Sequence, residues 1–541
     1  MTKESKEFKG LRLAGYMHAL IIGLLVLLLS SCGTGQSTFN DIEFSSAALT
    51  DVAWGEQVQV NHSAINASPT VKINYRIDNG LVQTITDFHQ QNNRVVFALP
   101  EVLGLPALPN FSEPYTISAS TYASALTSPQ ITQYSSRGVI EVTITAGSKK
   151  IKRNYQPFGT VEAGEVTVMA QTSNCNAFGN EVVGLGYTKV NEGSAGNLCY
   201  VTAGFNTRGT SQAISHLEDN LDYPNAWIDK NVVQALDPAG ANSYDPSCDQ
   251  ISGWLDRAAG SGFDMLLSAD LLASSNASAA HSAGVTGAGV NVFVIGGGIG
   301  ANDEFECLDA SGNILFEDHD THVAEIIRLI APDVNIEDRV VCNAAGNCPT
   351  SEIVMALLEV STTAQNNSGK DLINMSLGGP VANRVLEATL KSIEPGITVI
   401  TSNGNGPNAP SHYPASYSSG TPTPGSLDNV IAVAASGRES GIWKMAGFNT
   451  RNAEIFAPGT NVCVQTATGF RCDTSAATSP ENLGITGSSF AAPIATGMAA
   501  LYLEQSSTNL QPGDVRDCLV DSAQTLPNVI RTIWYDSTVC P

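Results

Sequence analysis

Three stretches of the chain carry residue types that could act on a carbonyl. GSSFAAPIATGMAAL, residues 487–501, sets Ser489 just ahead of an alanine-rich helical pattern. The free N–H groups of a helix start favour developing negative charge, and a serine there becomes a nucleophile once a base is near. A serine that merely caps the helix is the plain alternative. HDTHVAEII, residues 319–327, sets His319 at the start of a second helix, whose apolar stripe is Val323, Ile326, Ile327 and Ile330. SNGNGP, residues 402–407, puts Asn405 in a glycine-rich loop after a β-branched run. A base, a hydrogen-bond donor and a nucleophile, each at the end of an element, fit nucleophilic catalysis in the order His, Asn, Ser.

A fourth stretch suggests different chemistry. VNVFVIGGGIGA, residues 290–301, runs a β-branched segment into glycines, and Gly296, Gly298 and Ala301 fit the G-x-G-x-x-G/A turn of dinucleotide sites. Asp318 and Asp320 lie about 20 residues on, where such a site wants a ribose-binding carboxylate. The following NDEFECLDASGN, however, lacks the apolar periodicity of the helix that this turn must open. What survives is a buried strand ending at Ile295 beside a crevice.

The elements that must position these residues form two kinds of pattern. From Val285 onward, β-branched runs alternate with helical patterns, which predicts an α/β domain on a mostly parallel sheet. Residues 290–295, 371–377 (DLINMSL), 397–401 and 429–434 (NVIAVA) read as strands, and the small-residue pattern from Ser489 to Leu503 as a helix. A chain of 541 residues has room for further domains. Residues 39–147 read as all-β: Val71, Ile73, Tyr75 and Ile77 alternate, Asp78-Asn79-Gly80 turns, and 94–99 and 138–145 resume the pattern. That is compatible with an immunoglobulin-like sandwich acting as a spacer or binding module. The basic residues Lys149, Lys150, Lys152 and Arg153 read as a linker. Residues 161–236 read as a small α+β unit in which GEVTVMA, EVVGLGY and LCYVTAGF are strand-like and Ala213, Ile214, Leu217 and Leu221 recur at helical spacing. Residues 240–283 form a connector with a short helix, and 284–541 hold the chemistry.

On these motifs, residues 285–503 resemble the subtilisin-like serine proteases. HDTHVA is similar to that family's H-G-T-H-V-A, GSSFAAP to its G-T-S-M-A-x-P, and NGNG to its A-G-N loop. DLINMSLGG resembles its substrate-pairing strand, and YPAS and FAPG, at Tyr413 and Phe456, follow in the family's order. The resemblance implies a three-layer α/β/α domain and serine endopeptidase activity on a polypeptide substrate. It makes Ser489 the nucleophile, His319 the base, Asn405 the oxyanion donor, and Ser376, Leu377 and Gly378 the strand that pairs with substrate. His412, just before Tyr413-Pro414, becomes a candidate lining of the specificity pocket, and residues 161–236 a candidate inhibitory propeptide or chaperone-like module.

One position departs from the pattern. Gly296 stands where the family's first strand carries the aspartate that orients the histidine, and neutralising that residue costs about 10⁴ in turnover. Asp320 replaces the family's glycine beside the histidine. Successive helical residues point roughly 100° apart, so Asp320 is expected to aim away from the ring of His319. Asp303, Glu304 and Glu306 follow the glycine turn, and Asp303 could fold back. The expectation is therefore a weakened endopeptidase working with a Ser-His pair. The alternative is a pseudoprotease that binds polypeptide in the old cleft as an adhesive surface protein.

Composition and targeting narrow the setting. With 27 Lys+Arg against 51 Asp+Glu and a net charge of -24, the chain lacks the basic surplus that nucleic-acid binding needs. Residues 1–31 read as a lipoprotein signal peptide: a basic start, a short apolar run, then Leu29-Ser30-Ser31-Cys32, which resembles a lipobox with Cys32 as the lipidated residue. That places the protein outside the cytoplasm, lipid-anchored to a bacterial membrane on its periplasmic or surface side. Of 11 cysteines, Cys32 aside, an even number is left for an oxidising compartment. Cys342/Cys348, Cys463/Cys472 and Cys518/Cys540 are close enough for local bridges, with connectivity open. No C-x-x-C pair points to zinc, and no cofactor is expected. Structural calcium stays open, although no D-x-[DN]-x-[DN]-G loop occurs.

Overall fold

The computed structural model describes residues 42–44, 50–66, 70–77, 81–99, 139–236, 263–299, 307–308, 314–316, 319–343, 346–364, 370–393, 395–406, 411–421, 427–450, 453–466, 469–471, 485–526 and 529–540. In the N-terminal part, strands Gln57–Asn61, His89–Gln91 and Arg94–Ala98 form one small antiparallel sheet. Val71–Ile77 and Ile140–Ala146 pair in another, extended by the 23-residue strand β1 (Lys149–Gln171). Period-two alternation turns Val58, Val60, Phe97, Ile73, Val142, Ile144 and Ile151 into one shared core.

The basic run is not a linker. Lys149, Lys150, Lys152 and Arg153 lie inside β1, where Ile151 points into the core and Lys152 meets Glu141 at 3.3 Å. Lys150 and Lys152 take the face opposite Ile151, and all four basic side chains keep at least partial contact with solvent. The first part of β1 pairs with Ile140–Ala146, and its second part belongs to the next unit. That unit comprises α1 (Cys175–Gly184), β2 (Thr188–Ala195), β3 (Leu198–Gly204), α2 (Thr210–Asn220) and β4 (Trp227–Leu236). EVVGLGY, expected as a strand, instead supplies the second half of α1 and the turn after it. Asn174 caps that helix by accepting from the Ala177 N–H at 3.0 Å, and Phe178 and Val182, four apart, bury one face.

Two short helices, Ser268–Ser275 and Ala277–Ser282, occupy the described part of the connector. There follow β5 (Asn291–Gly296), α3 (His319–Ile330), β6 (Asn335–Val340), β7 (Asn347–Pro349), α4 (Thr350–Ala364), β8 (Asp371–Met375), β9 (Leu377–Gly378), α5 (Arg384–Ile393), β10 (Ile397–Ser402), β11 (Val430–Glu439), β12 (Ile455–Pro458), α6 (Ser488–Gln505) and β13 (Val529–Thr532). The central sheet runs β6-β5-β8-β10-β11-β12-β13 with these neighbours parallel, and the short strands Ile442–Met445 and Gln524–Leu526 add to β11 and β13 antiparallel. Alternation along β5 explains the layering. Val292 and Val294 join the core under α3 and α6, while Phe293 and Ile295 join the core under α4 and α5. A sheet apolar on both faces needs helices on both, and the result is the expected three-layer α/β/α domain.

The α+β unit is bound to this domain by its sheet. Met169, Leu198 and Tyr200 share the core of α4 and α5, and β4 runs on between β7 and β9, antiparallel to both. Disulfides join Cys175 to Cys199, Cys342 to Cys348 and Cys518 to Cys540; Cys463 is also disulfide-bonded, while Cys472 lies outside the described residues. So do the signal segment, Cys32, residues 240–262, Asp303, Glu304 and Glu306. Among the described residues, no helix is long and apolar enough to cross a membrane.

Candidate active site

Parallel strands end on one side of a sheet, and that edge gathers the residues singled out by chemistry. Here β5 ends at Gly296, β8 leads into Ser376, and β10 leads through Asn403 and Gly404 to Asn405. The helices α3 and α6 begin at the same edge. They run parallel: Phe490 near the start of α6 lies 5.4 Å, centroid to centroid, from the His319 ring, and Gly497 further on packs against Ile330. A Cβ on Gly497 would lie 2.6 Å from the Cβ of Ile330, so glycine permits this close approach. The first turns of both helices, with the positive ends of their dipoles, therefore converge on one crevice.

Ser489 is fully buried on the first turn of α6. Its Oγ donates to the Ser376 carbonyl at 3.3 Å, and the Ser376 Oγ donates to the Ser489 carbonyl at 2.8 Å. Asn374 donates to Ser376 Oγ at 3.0 Å and accepts from Thr496 Oγ1 at 2.9 Å. This buried polar chain fixes β8 against α6; only the fold could reveal Asn374 and Thr496 as its members. Asn405 accepts the Ser488 N–H at 2.9 Å through Oδ1, which holds its amide beside the opening N–H groups of α6. His319 is 3% exposed, and its Nε2 is buried with no hydrogen bond among the described residues.

The other ring nitrogen of His319 has a partner, and it is the residue expected to point away. Nδ1 lies 2.7 Å from Asp320 Oδ1. The 100° argument applies to Cβ directions inside a helix. Here both residues sit on the first turn of α3, and the carboxylate is drawn sideways by the glycine turn. Asp320 Oδ2 accepts from the N–H of Gly297 and from that of Gly298 at 3.2 Å. The space it fills is the space a side chain at 296 would need: a Cβ on Gly296 would lie 2.7 Å from the Asp320 carboxylate carbon. The sequence did carry a signal, an aspartate where the resemblance has glycine and a glycine where it has aspartate.

The remaining expected residues fall on the same crevice. Leu377 and Gly378 pair with Leu236 and Ala235 of β4, so the strand expected to bind substrate already carries a peptide strand of this chain. The His412 ring lies between Gly378 and Gly404: Cβ atoms built there would be 2.7 Å from its Cδ2 and 2.6 Å from its Cγ. That sets it between the pairing strand and the Asn405 loop. Behind His319, burial, followed by the proximity of that histidine, pushes His322 down to about 4. Among the described residues, no cluster of three or more His, Cys, Asp or Glu could hold a metal ion.

Comparison with known proteins bears on this arrangement. A family model described as the subtilase family matches residues 295–533. Subtilisin DY of Bacillus licheniformis is 30% identical over 257 residues, which span 45% of this chain and 81% of that protein. M-protease of Shouchella clausii is 28% identical over 273 residues, 47% of this chain and 63% of its own length, which is less than two thirds. Among solved structures, fervidolysin from Fervidobacterium pennivorans, described as a keratinolytic enzyme related to subtilisin, is similar with a TM-score of 0.49 at 18% identity, covering 70% of this chain and 60% of that one.

Proposed function

The chain belongs to the subtilase family of serine peptidases, and from that premise we propose that it is an exported, lipid-anchored endopeptidase held in check by its own upstream segment. In this reading Ser489 Oγ attacks the substrate carbonyl carbon while His319 Nε2 takes its proton. The Asn405 amide nitrogen and the Ser489 N–H donate to the oxyanion of the tetrahedral intermediate. Collapse breaks the C–N bond, the proton passes from His319 to the leaving amine, and water then releases the acyl group by the same steps in reverse order. Ser376, Leu377 and Gly378 hold the substrate backbone as an added strand.

The observation that carries the proposal is β4, which lies antiparallel on Leu377 and Gly378 over the crevice where α3 and α6 begin. A strand in that place supports substrate binding by strand addition, and it supports an inhibitory role for residues 161–236. Cys32 supplies the anchor in this reading. Gly296 favours a second reading, a pseudoprotease that only binds polypeptide or aids adhesion. Labelling the purified ectodomain with an alkyl fluorophosphonate separates the two. The endopeptidase reading expects covalent modification of Ser489 once residues upstream of 237 are removed, and none in Ser489→Ala. An ectodomain so processed that still gives no label leaves the binding protein as the better account.

A further inference from the structure

The geometry points to Asp320 as the residue that orients His319, a carboxylate moved from the end of β5 to the first turn of α3. This deepens the endopeptidase reading and rests on it. A histidine that shuttles a proton through Nε2 needs Nδ1 protonated and held, and an acceptor anion at Nδ1 does both. Asp320 Oδ1 is 2.7 Å from that nitrogen, and the pair is almost wholly buried, with side chains 1% and 4% exposed. The second oxygen is fixed by the Gly297 and Gly298 N–H groups, so the carboxylate cannot turn away from the ring without giving up those bonds.

The exchange is reciprocal in space as well as in sequence. A carboxylate carried by residue 296 and one carried by residue 320 would contest a single volume, since a Cβ at 296 already comes within 2.7 Å of the Asp320 carboxylate carbon. Glycine at 296 is thus what admits Asp320. The strand end has lost an aspartate, and the crevice has kept one. Asp320 touches the base and not the reacting atoms, so it is a positioning residue, and the site has three members in place of the pair that Gly296 implies.

The test measures fluorophosphonate labelling rate and peptide hydrolysis on the processed ectodomain, together with the low-field proton resonance of a histidine Nδ1–H bonded to carboxylate. Asp320→Asn keeps an oxygen for the glycine turn but offers N–H where Nδ1–H needs an acceptor. A loss due only to the turn would leave this variant active. The expected result is a fall of about 10³–10⁴ in labelling rate and kcat with KM nearly unchanged, and loss of the resonance. The double change Gly296→Asp with Asp320→Gly returns a carboxylate from the strand side and is expected to restore most of the rate; thermal unfolding of each variant confirms a folded protein. Labelling of Asp320→Asn within about threefold of the unaltered protein, with Ser489→Ala unlabelled, overturns the role of Asp320 and leaves the peptidase standing. An unaltered protein that never labels, yet shows a resonance abolished in Asp320→Asn, supports the pairing and sinks the peptidase reading.

Discussion

The residue scale holds the largest surprise, because two substitutions that look damaging singly make sense together. Gly296 removes the expected partner of His319, and Asp320 inserts a charge at a helix position where the resemblance has none. Together they let Asp320 occupy the space beside Gly296, with one carboxylate oxygen on His319 and the other on the Gly297 and Gly298 N–H groups. The next turn of α3 carries a second consequence. Burial pushes His322 down to about 4, whereas in an unfolded chain it titrates near 6.5. Between those values the unfolded state binds more protons, so this contribution to stability is complete above pH ~6.5 and is lost as pH falls toward 4. The loss amounts to about 3 kcal/mol for the one group. Melting curves from pH 7 to 4, taken in a Ser489→Ala background to prevent self-digestion, should show a steep acid decline that His322→Gln flattens. An equal decline in both proteins would place the acid-sensitive group elsewhere.

At the scale of elements, the contact between α3 and α6 sets the distance between His319 and Ser489. Both helices are apolar on the face they share, and Gly497 lets them approach until Ile330 touches the backbone. Gly497→Ala adds one methyl group where there is no room. Overpacking of this kind costs about 1–3 kcal/mol, partly offset by the roughly 1 kcal/mol better helix propensity of alanine. The expected net result is a loss of up to about 2 kcal/mol in denaturant unfolding, with a slower labelling of Ser489 as the helix starts separate. Unchanged stability would mean that the helices can slide apart at no cost. Helical periodicity foretold α3 and its stripe well, since Val323, Ile326, Ile327 and Ile330 all enter one core. It failed at EVVGLGY, where the same β-branched pair suits a strand or a helix and the cap at Asn174 decides.

At the scale of the whole molecule, two strands join regions that sequence separates. β1 belongs to both upstream units, and β4 passes from the second of them to lie between β7 and β9. Ala235 pairs with Asn347 on one side and Gly378 on the other, so it sits in the interior of a three-strand ladder. Proline there has no N–H to donate and a ring that disrupts the pairing. Ala235→Pro is expected to weaken the upstream segment's hold and shorten the lag before freshly purified protein hydrolyses a peptide substrate. A lag that does not change would show that β4 is not what closes the cleft.

The sequence by itself determined the layered architecture and singled out three residues of types that acyl transfer would use. Both are local properties: alternation and periodicity decide which faces are apolar, and a helix start or a strand end is written in a few consecutive residues. Ser489, His319 and Asn405 could be found because each lies at such an end. Only the tertiary structure decided what His319 is bonded to. That depends on where the N–H groups of Gly297 and Gly298 meet a side chain 22 or more positions away, and on a volume left empty at residue 296. It also decided that β9 is already paired within the chain, because β4 brings Leu236 to Leu377 across more than a hundred residues of intervening chain. No pattern within either segment encodes that meeting.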